Sequence, residues 1–403
     1  MIKHNIQTLN RVKNHSGFTL IEILIALLLG IGILVAALTM QIQHRKGFQL
    51  SSSQLQMQTN AKFAFEFISK SLRSAGSLGC KTGLELRGEL NTGASRVTAD
   101  ATFYGKAAIA FNNPNVAYAN FKPGFEVLGY EYAGGLIPIP PLDFKFVSLA
   151  QYNANSDVLT VAGGYGEVYP VFDAILPIDS SFQLRMTGLS QVRVAQSQYG
   201  LLSGCSGAKI FKITSSNASI ELGQIGWAGG GGDDDNKTGQ GNALGLLESG
   251  GAREFRRAAV VTYFVGMSPL NATNGVPTLY MDVDGVSNAL IEGVEEIQIQ
   301  YGLSESPTRR NIADRYLTAD VIDGLTNVGN NEWEKVVSVR VGIIMRSSQQ
   351  VFQKPPNPVP SVSLACVGYT QTPARSDNFS RTTYCAEISL RNRLVGTRVG
   401  SKI

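Results

Sequence analysis

Histidine is scarce in this chain, and its placement excludes several kinds of catalytic site. The three histidines of the 403-residue sequence are His4, His15 and His44. The long remainder of the chain therefore cannot supply a Ser-His-Asp triad, a Cys-His pair or a histidine-ligated zinc site. The chain also lacks a G-x-S-x-G motif and a G-x-x-x-x-G-K-[ST] phosphate loop. A carboxylate-only hydrolase or a Ser-Lys enzyme survives this test, but no motif supports either, so no enzyme activity, cofactor or catalytic residue is predicted.

Charged residues are also few: they make up 16% of the chain, against roughly 25% in an average soluble domain. Lys and Arg exceed Asp and Glu by only 35 to 31, and three of the basic residues, Lys3, Arg11 and Lys13, lie at the N-terminus. Because binding to phosphates needs several basic side chains on one face, direct contact with nucleic acid is not expected. A hydrophobic content of 43% excludes a highly charged disordered chain.

Proline is absent before Pro114, so no imino acid interrupts a helix in the first quarter of the chain. Residues 18–38 read FTLIEILIALLLGIGILVAAL, with Glu22 as the only charge. As a helix this stretch covers about 31 Å, which matches the hydrocarbon core of a bilayer. The pattern predicts a transmembrane segment over 18–38, and the flanking basic residues weakly favour a cytoplasmic N-terminus.

Two simpler hypotheses compete for this segment. A secretory signal peptide has a shorter apolar run and a small-x-small cleavage site, and Thr39, Met40 and Gln41 do not provide one. A plain membrane anchor gives no reason for Glu22, since a charge inside an apolar span costs about 2.5–3.5 kcal/mol. A carboxylate at this position is therefore a functional candidate.

The residues Ser16-Gly17-Phe18-Thr19-Leu20-Ile21-Glu22 resemble the class III signal of type IV prepilins and type II secretion pseudopilins. The resemblance implies a leader peptide, 1–17, that prepilin peptidase removes between Gly17 and Phe18. It also implies N-methylation of Phe18. Glu22 would act in assembly by facing the N-terminal amine of a neighbouring pilin.

A second helical stretch is expected to continue to about Ala75 and to stop at Gly76. Its apolar residues include Leu55, Ala61, Phe65, Ile68 and Leu72, and from Ala61 on their spacing predicts an apolar stripe on one helical face. The phenylalanines at 63, 65 and 67 are expected to pack in the core. The predicted pilin helix thus covers 18–75.

Residues 76–403 contain short β-rich runs, so we expect an α+β fold. In this fold a long N-terminal helix packs on a mainly antiparallel, β-rich globular domain. The predicted strands are Val158–Val161, Ile210–Ile213, Ala258–Val265, Leu279–Val283, Ile297–Tyr301, Val336–Met345 and Tyr384–Leu390. One further helix is predicted over 310–325. The segments 229–242 and 354–360 are predicted to be loops.

Other stretches narrow the resemblance to the PilW family of type IV minor pilins and to the related J-type minor pseudopilins. The similar segments are 60–76, 293–302, 333–341 and 389–393, while 81–290 is only loosely covered. The length after the leader favours PilW. This resemblance implies a structural subunit that helps to initiate pilus assembly at or near the tip, with twitching motility as one downstream process. The alternatives are a J-type pseudopilin and a membrane-anchored adhesin or hydrolase.

The implied partners are the other minor pilins, the major pilin, prepilin peptidase, inner-membrane lipid and the assembly platform. The implied location is the inner membrane, with a single span and a periplasmic C-terminal domain, and then the assembled pilus on the cell surface.

Four cysteines, Cys80, Cys205, Cys366 and Cys385, lie in the part of the chain that is expected outside the cytoplasm. An even number there predicts two disulfides, for which three pairings exist. Cys366 and Cys385 bracket one Pro/Ser/Asn-rich loop, and Cys80 at the helix end could meet Cys205. No C-x-x-C occurs, so a zinc or redox site is not expected.

An acidic run at Asp233–Asp235 lies in a glycine-rich loop and could bind Ca²⁺ through carboxylate oxygens. It lacks EF-hand spacing. A solvated acidic loop is the favoured interpretation, and no metal site is predicted.

Overall fold

The computed structural model describes part of the chain, which includes most of a long N-terminal helix and most of the β-sheets. The described residues are 17, 19–78, 81–82, 97–99, 126–131, 155–171, 181–183, 192–204, 208–226, 229–230, 236–237, 252–268, 275–284, 286–305, 312–326, 332–352, 354–356, 358, 360–371 and 376–394. The chain divides into two compact units, Met1–Ser52 and Ser53–Ile403.

The described residues form one long helix, three short helices and twenty strands. The helices are α1 (Leu20–Ser74), α2 (Asn217–Glu221), α3 (Ala319–Leu325) and α4 (Arg391–Leu394). The strands are β1 (Ser77–Leu78), β2 (Lys81–Thr82), β3 (Val97–Ala99), β4 (Val127–Tyr130), β5 (Val158–Pro170), β6 (Ser181–Gln183), β7 (Tyr199–Gly204), β8 (Ala208–Lys212), β9 (Gln224–Gly226), β10 (Gly229–Gly230), β11 (Asn236–Lys237), β12 (Ala252–Ser268), β13 (Val276–Val283), β14 (Val286–Glu292), β15 (Val294–Leu303), β16 (Arg315–Leu317), β17 (Val336–Arg346), β18 (Ser363–Leu364), β19 (Tyr369–Thr370) and β20 (Arg381–Ser389). The expected α+β fold is confirmed.

The large sheet is organised around β12. One edge of β12 pairs with β5, and β5 pairs in turn with β4. The other edge pairs with β7 through the first half of β12 and with β13 through its second half. All of these pairs are antiparallel, and the predicted strands near 158, 210, 258 and 279 lie in this sheet.

The C-terminal sheet has four antiparallel strands in the order β16-β15-β17-β20. Its strands include the three that were predicted near 297, 336 and 384. In β20, Ile388 is buried while its neighbours Glu387 and Ser389 are exposed, so the predicted alternation is confirmed at this end of the strand.

The end of α1 follows the prediction. The helix ends at Ser74, and Gly76 adopts a left-handed conformation with φ of +64°. Glycine adopts this conformation without a Cβ penalty and is the usual residue just after a helix C-terminus.

A side chain far away in sequence completes this helix end. Asn392, in α4, donates hydrogen bonds from Nδ2 to the carbonyl oxygens of Arg73 (3.1 Å) and Ala75 (2.8 Å). Carbonyls at a helix C-terminus have no partner inside the helix. Asn392 therefore caps α1 and fastens it to the C-terminal end of the body.

The buried stripe of α1 is longer than predicted. Ala61, Ile68 and Leu72 are buried as expected and Phe65 is partly buried. The stripe begins earlier, at Met57, while Leu55, outside the predicted stripe, is 62% exposed. Ala64 is also buried, which gives spacings of three and four residues throughout. The expectation that Phe63 and Phe67 pack in the core is wrong, since they are 48% and 40% exposed.

The helix predicted over 310–325 is shorter than expected. Residues 306–311 lie outside the described part of the chain, and Arg315–Leu317 form β16, which pairs with β15. Only Ala319–Leu325 are helical. Tyr316 and Leu317 are favourable in strands, and the free edge of β15 offers them backbone partners, so tertiary pairing overrides the helical periodicity.

A single hydrophobic cluster joins the stripe of α1 to both sheets. It contains Tyr263 of β12, Val294 and Tyr301 of β15, and Trp333. The rings of Tyr301 and Trp333 meet edge to face with centroids 5.0 Å apart. The second half of α1 is therefore an integral part of the core of the unit Ser53–Ile403.

Next to this core, Glu131 at the end of β4 lies beside the start of α3. Burial and the negative charge of Asp320 raise the pKa of Glu131 from 4.5 to about 7, while a hydrogen bond from the backbone of Ala319 acts in the opposite direction. One carboxyl oxygen, Oε2, is buried without a hydrogen-bond partner among the described residues. The fold therefore favours the protonated form of this side chain.

We predict that Asn392→Ala lowers the free energy of unfolding by about 1 kcal/mol, because two terminal carbonyls of α1 lose their capping bonds. Urea unfolding of the full chain in detergent measures this change. Asn288→Ala is the matched control, because Asn288 is exposed and bonds only to nearby Val286, at 3.5 Å. Equal effects of the two substitutions would contradict the capping role.

We predict that Glu131→Gln stabilises the protein at high pH. The unfolded chain releases this proton near pH 4.5 and the folded chain near pH 7, so stability falls as the pH rises between these values. A neutral glutamine avoids this loss and gains on the order of 3 kcal/mol at pH 8. Unfolding of both proteins at pH 4 and pH 8 tests the prediction, and a difference that does not vary with pH would contradict it.

Candidate functional site

The first turn of α1 is arranged around Thr19 and Glu22. The backbone N–H of Glu22 donates to the carbonyl of Thr19 (3.0 Å) and lies 3.4 Å from its Oγ1. Thr19 therefore takes the N-cap position, and the segment Thr19-Leu20-Ile21-Glu22 has the T-x-x-E pattern of a capping box. The acidic side chain thus also has a local place at the helix start, which the sequence analysis did not identify.

The apolar residues that follow are exposed in the chain. From Leu20 to Ile42, the large hydrophobic side chains of α1 remain open to the surroundings. A run of this length is sufficient to cross a membrane. Such a surface is unfavourable in water and requires lipid or other apolar helices around it.

The residues of the predicted cleavage site are only partly described. Gly17 is exposed, and no other group lies near the position of a Cβ atom there. Phe18 lies outside the described residues. Cleavage between Gly17 and Phe18 and methylation of Phe18 therefore stay predictions, as does the role of Glu22 between chains.

Polar contacts fix the second half of α1 on the large sheet. The hydroxyl of Tyr263, in β12, donates to the carbonyl of Phe67 (3.1 Å). Because its only proton goes there, the oxygen accepts the hydrogen bond from Ser71 Oγ (2.8 Å). Burial raises the pKa of Tyr263 to about 12, so the hydroxyl stays protonated as a donor. The helix is thus positioned by specific bonds as well as by apolar packing.

Glycine in β5 permits close approach at the same place. A Cβ atom on Gly163 would lie 3.0 Å from the carbonyl oxygen of Ser74, and one on Gly164 would collide with the side chain of Arg256. Ala75 forms an isolated bridge with Gly163. Larger residues at 163 and 164 would therefore push the helix end and Arg256 away from the strand.

The predicted disulfide between Cys366 and Cys385 is present, with Cα atoms 6.3 Å apart. It links the short 3₁₀ turn Ala365–Val367 to β20 and closes the loop between them. Cys80 and Cys205 lie outside the described residues, so their pairing stays a prediction.

Two successive glutamates of β15 anchor this closed loop. Glu295 pairs with Arg381 through two hydrogen bonds of 2.6 and 3.0 Å, and their side chains are 2% and 7% exposed. Arg381 also binds Asp377 through two bonds of 2.7 and 2.6 Å. Burial alone would lower the pKa of Arg381, but the bonds to Asp377 and Glu295 outweigh it and raise the pKa. The result is a buried carboxylate whose charge is compensated by residues of the loop end.

Glu296 is anchored in a different way. It accepts hydrogen bonds from the hydroxyl of Tyr369 (3.0 Å) and from Nε2 of Gln371 (2.7 Å). Both donors lie inside the loop closed by Cys366 and Cys385. The disulfide and the two glutamates therefore hold the same segment against the C-terminal sheet.

From the sequence, the segment around 293–297 is notable only as part of a resemblance. Adjacent charged residues in a regular strand normally imply at least one exposed side chain, since neighbours point to opposite faces. Here a β-bulge shifts the register between Val294 and Glu296, and both carboxylates are buried. The contributions of Tyr263, Arg381 and Asn392 were also missed, because each depends on a long-range contact that no local pattern encodes.

The acidic run Asp233–Asp235 lies outside the described residues. Within the ranges that the structure describes, no group of three or more His, Cys, Asp or Glu side chains is arranged to hold a metal ion.

Two protein families match parts of the chain. Residues 12–39 match the prokaryotic N-terminal methylation motif, and residues 262–392 match the type IV pilus-assembly protein W family, PilW. The resemblance to PilW-type proteins with a prepilin-type N-terminus is confirmed. The chain is a pilin-like protein associated with type IV pili, and both matches fit membrane anchoring and contact with other pilus components. No curated protein and no solved structure is significantly similar to it.

We predict that the double substitution Cys366→Ser, Cys385→Ser lowers the free energy of unfolding by about 3 kcal/mol, because it opens a loop with a sequence separation of 19. Unfolding in detergent measures this loss. Non-reducing peptide mapping of the variant should then find one remaining disulfide, between Cys80 and Cys205. Free thiols at these two positions, or unchanged stability, would contradict the prediction.

Proposed function

We propose that this chain is a minor pilin, a structural subunit that helps to initiate type IV pilus assembly at or near the tip. In this proposal the leader is removed after Gly17 and Phe18 is methylated. The mature chain is held in the inner membrane by residues 18–38, with its β-rich body in the periplasm, before it enters the pilus. The chain has no catalytic role.

The observation that carries the proposal is the joining of two parts by one helix. α1 begins inside the match to the methylation motif, and its second half shares one hydrophobic cluster with residues of β12, β15 and β17, which lie in or overlap the match to PilW. A removable anchor or a signal peptide would not need to continue into the core of a folded body. A subunit that is assembled through its helix does, because this packing keeps the body attached to the helix.

The exposed apolar length of α1 supports the same function. Before assembly it can lie in lipid, and after assembly it can lie among the helices of other subunits. Both environments remove the same apolar surface from water. The exchange between them is therefore feasible without refolding of the body.

In this proposal, Glu22 forms an ion pair between neighbouring subunits. Its local value is modest, about 0.3–1 kcal/mol from the helix dipole. Placing the charge in an apolar span costs about 2.5–3.5 kcal/mol. An ion pair with the N-terminal amine of a neighbouring subunit would compensate for this cost, and breaking such a pair costs about 3–5 kcal/mol.

The partners in this proposal are the other minor pilins, the major pilin and the assembly platform, with prepilin peptidase acting on the N-terminus. A J-type pseudopilin of type II secretion is the alternative, and the match of residues 262–392 favours PilW over it.

The test compares two replacements of Glu22 that separate its two roles. Glutamine is accepted at the third position of a capping box, but it carries no charge to pair with an amine. We expect Glu22→Gln and Glu22→Ala to be processed and folded, yet to leave on the order of a hundredfold fewer pili in a strain that lacks the native chain. Electron microscopy counts the pili at matched protein levels.

The controls define what each result means. Glu66→Gln changes an exposed glutamate of the same helix and should leave piliation unchanged. Gly17→Val should keep the leader attached, which mass spectrometry detects. Normal piliation with Glu22→Gln would show that Glu22 acts only at the helix start. Loss of type II secretion with normal piliation would favour the pseudopilin.

A further inference from the structure

A cleft of about 500 Å³ opens beside the loop that the disulfide closes. One wall follows β17 and includes Phe352 and Ser361. The other wall is the end of the closed loop and the start of β20, with Phe379 and Thr382. The volume falls within the range of about 300–1,000 Å³ that small-molecule sites occupy.

The described lining contains one residue of each charge. They are Asp377 and Arg381, which pair with each other at 2.6 Å. Arg381 also pairs with the buried carboxylate of Glu295. The described part of the cleft therefore presents no cluster of like charges that would select an anionic polymer or a basic peptide.

Hydroxyl groups dominate the polar part of the lining. They belong to Ser361, Ser363, Ser380, Thr382 and Thr383. For Ser361, Thr382 and Thr383, no hydrogen bond of the hydroxyl is found among the described residues. A hydroxyl both donates and accepts, so this surface matches a ligand whose own groups do both.

Asp377 adds a fixed acceptor. Its carboxylate accepts from Arg381 at both oxygens and from the backbone N–H of Phe379 at Oδ1, and the side chain remains 31% exposed. A carboxylate has about four lone-pair sites, so capacity remains for a hydroxyl of a ligand. The hydrogen bond from Arg381 lowers the pKa of Asp377, which keeps it ionised in mildly acidic conditions.

Two aromatic rings supply the apolar part. Phe352 is 36% exposed, and Phe379 is held in place by the guanidinium of Arg346, 4.4 Å from the ring centroid. Apolar ring faces beside hydroxyl groups complement a sugar ring, which has C–H faces and O–H edges.

We propose that this cleft binds a neutral saccharide, which packs against Phe352 and bonds to Asp377 and the hydroxyls of Ser361 and Thr383; in β20, Thr383 shares the loop-facing side of the strand with Arg381 and Cys385. The site is preorganised, because the disulfide between Cys366 and Cys385 and the buried pair of Glu295 with Arg381 fix its wall before a ligand arrives. This binding activity is separate from the proposed role in pilus assembly.

The experiment measures binding of neutral tetrasaccharides of glucose, galactose and N-acetylglucosamine to the purified full chain in a sugar-free detergent. Phe352→Ala and Thr383→Val should each weaken binding by about tenfold, since each removes one contact without changing the buried core. Phe63→Ala is the matched control, because Phe63 is similarly exposed but lies on α1, and it should bind as the unchanged protein does. Opening the disulfide should weaken binding more than either substitution.

Three outcomes would overturn the proposal. They are no binding of any of these saccharides at concentrations up to about 10 mM, equal binding by the cleft variants and the control, and binding of decaproline in place of sugars. The last result would assign the cleft to proline-rich peptides. Because the assay uses purified protein, its outcome is independent of whether the chain initiates pili.

Discussion

The rest of the structure depends on the close packing of α1 against the two sheets. Ala61 and Ala64 face the core, and small side chains let the helix backbone come near the strands. Only at that distance can Tyr263 reach the carbonyl of Phe67 and Asn392 reach those of Arg73 and Ala75. Larger residues at the alanine positions would overpack the core and break these bonds together, since interiors have little free volume.

The C-terminal sheet is stabilised differently, by polar groups that are buried in pairs. Glu295 and Glu296 are adjacent at a β-bulge of β15, and each is bonded to the loop that the disulfide closes. A buried ion pair adds little net stability compared with apolar packing, but removing only one of its two partners is costly. The disulfide keeps Tyr369, Gln371 and Arg381 close to Glu295 and Glu296. These contacts fix the position of the loop ends, and with them one wall of the cleft.

The sequence predicts the features whose signal is local. The apolar run, the stop at Gly76 and the strands near 258, 297 and 336 follow from hydropathy, glycine and β-branched residues. The helix over 310–325 fails because strand pairing with β15 competes with periodicity. The packing of Phe63 and Phe67 fails because each lies two residues from the partly buried Phe65, and residues two apart do not share a helix face. Asn392, Arg381 and Tyr263 act through contacts with residues between 86 and 319 positions away, which no window of sequence contains.

Buried and exposed apolar residues thus lie in different parts of the chain, and this difference matters for the proposed assembly. Among the described residues of the unit Ser53–Ile403, one hydrophobic cluster spans both sheets, and the buried carboxylates of Glu295 and Glu296 are bonded internally. The exposed apolar residues from Leu20 to Ile42 have no such cover, and single exposed residues such as Phe63 are ordinary on any surface. In the assembly that we propose, the first half of α1 would therefore supply the driving force for association. Since apolar contact is not directional, a charged group would be needed to set the register of one helix against the next. Glu22 is the one acidic residue in that stretch, and Thr19 already fixes its position at the helix start.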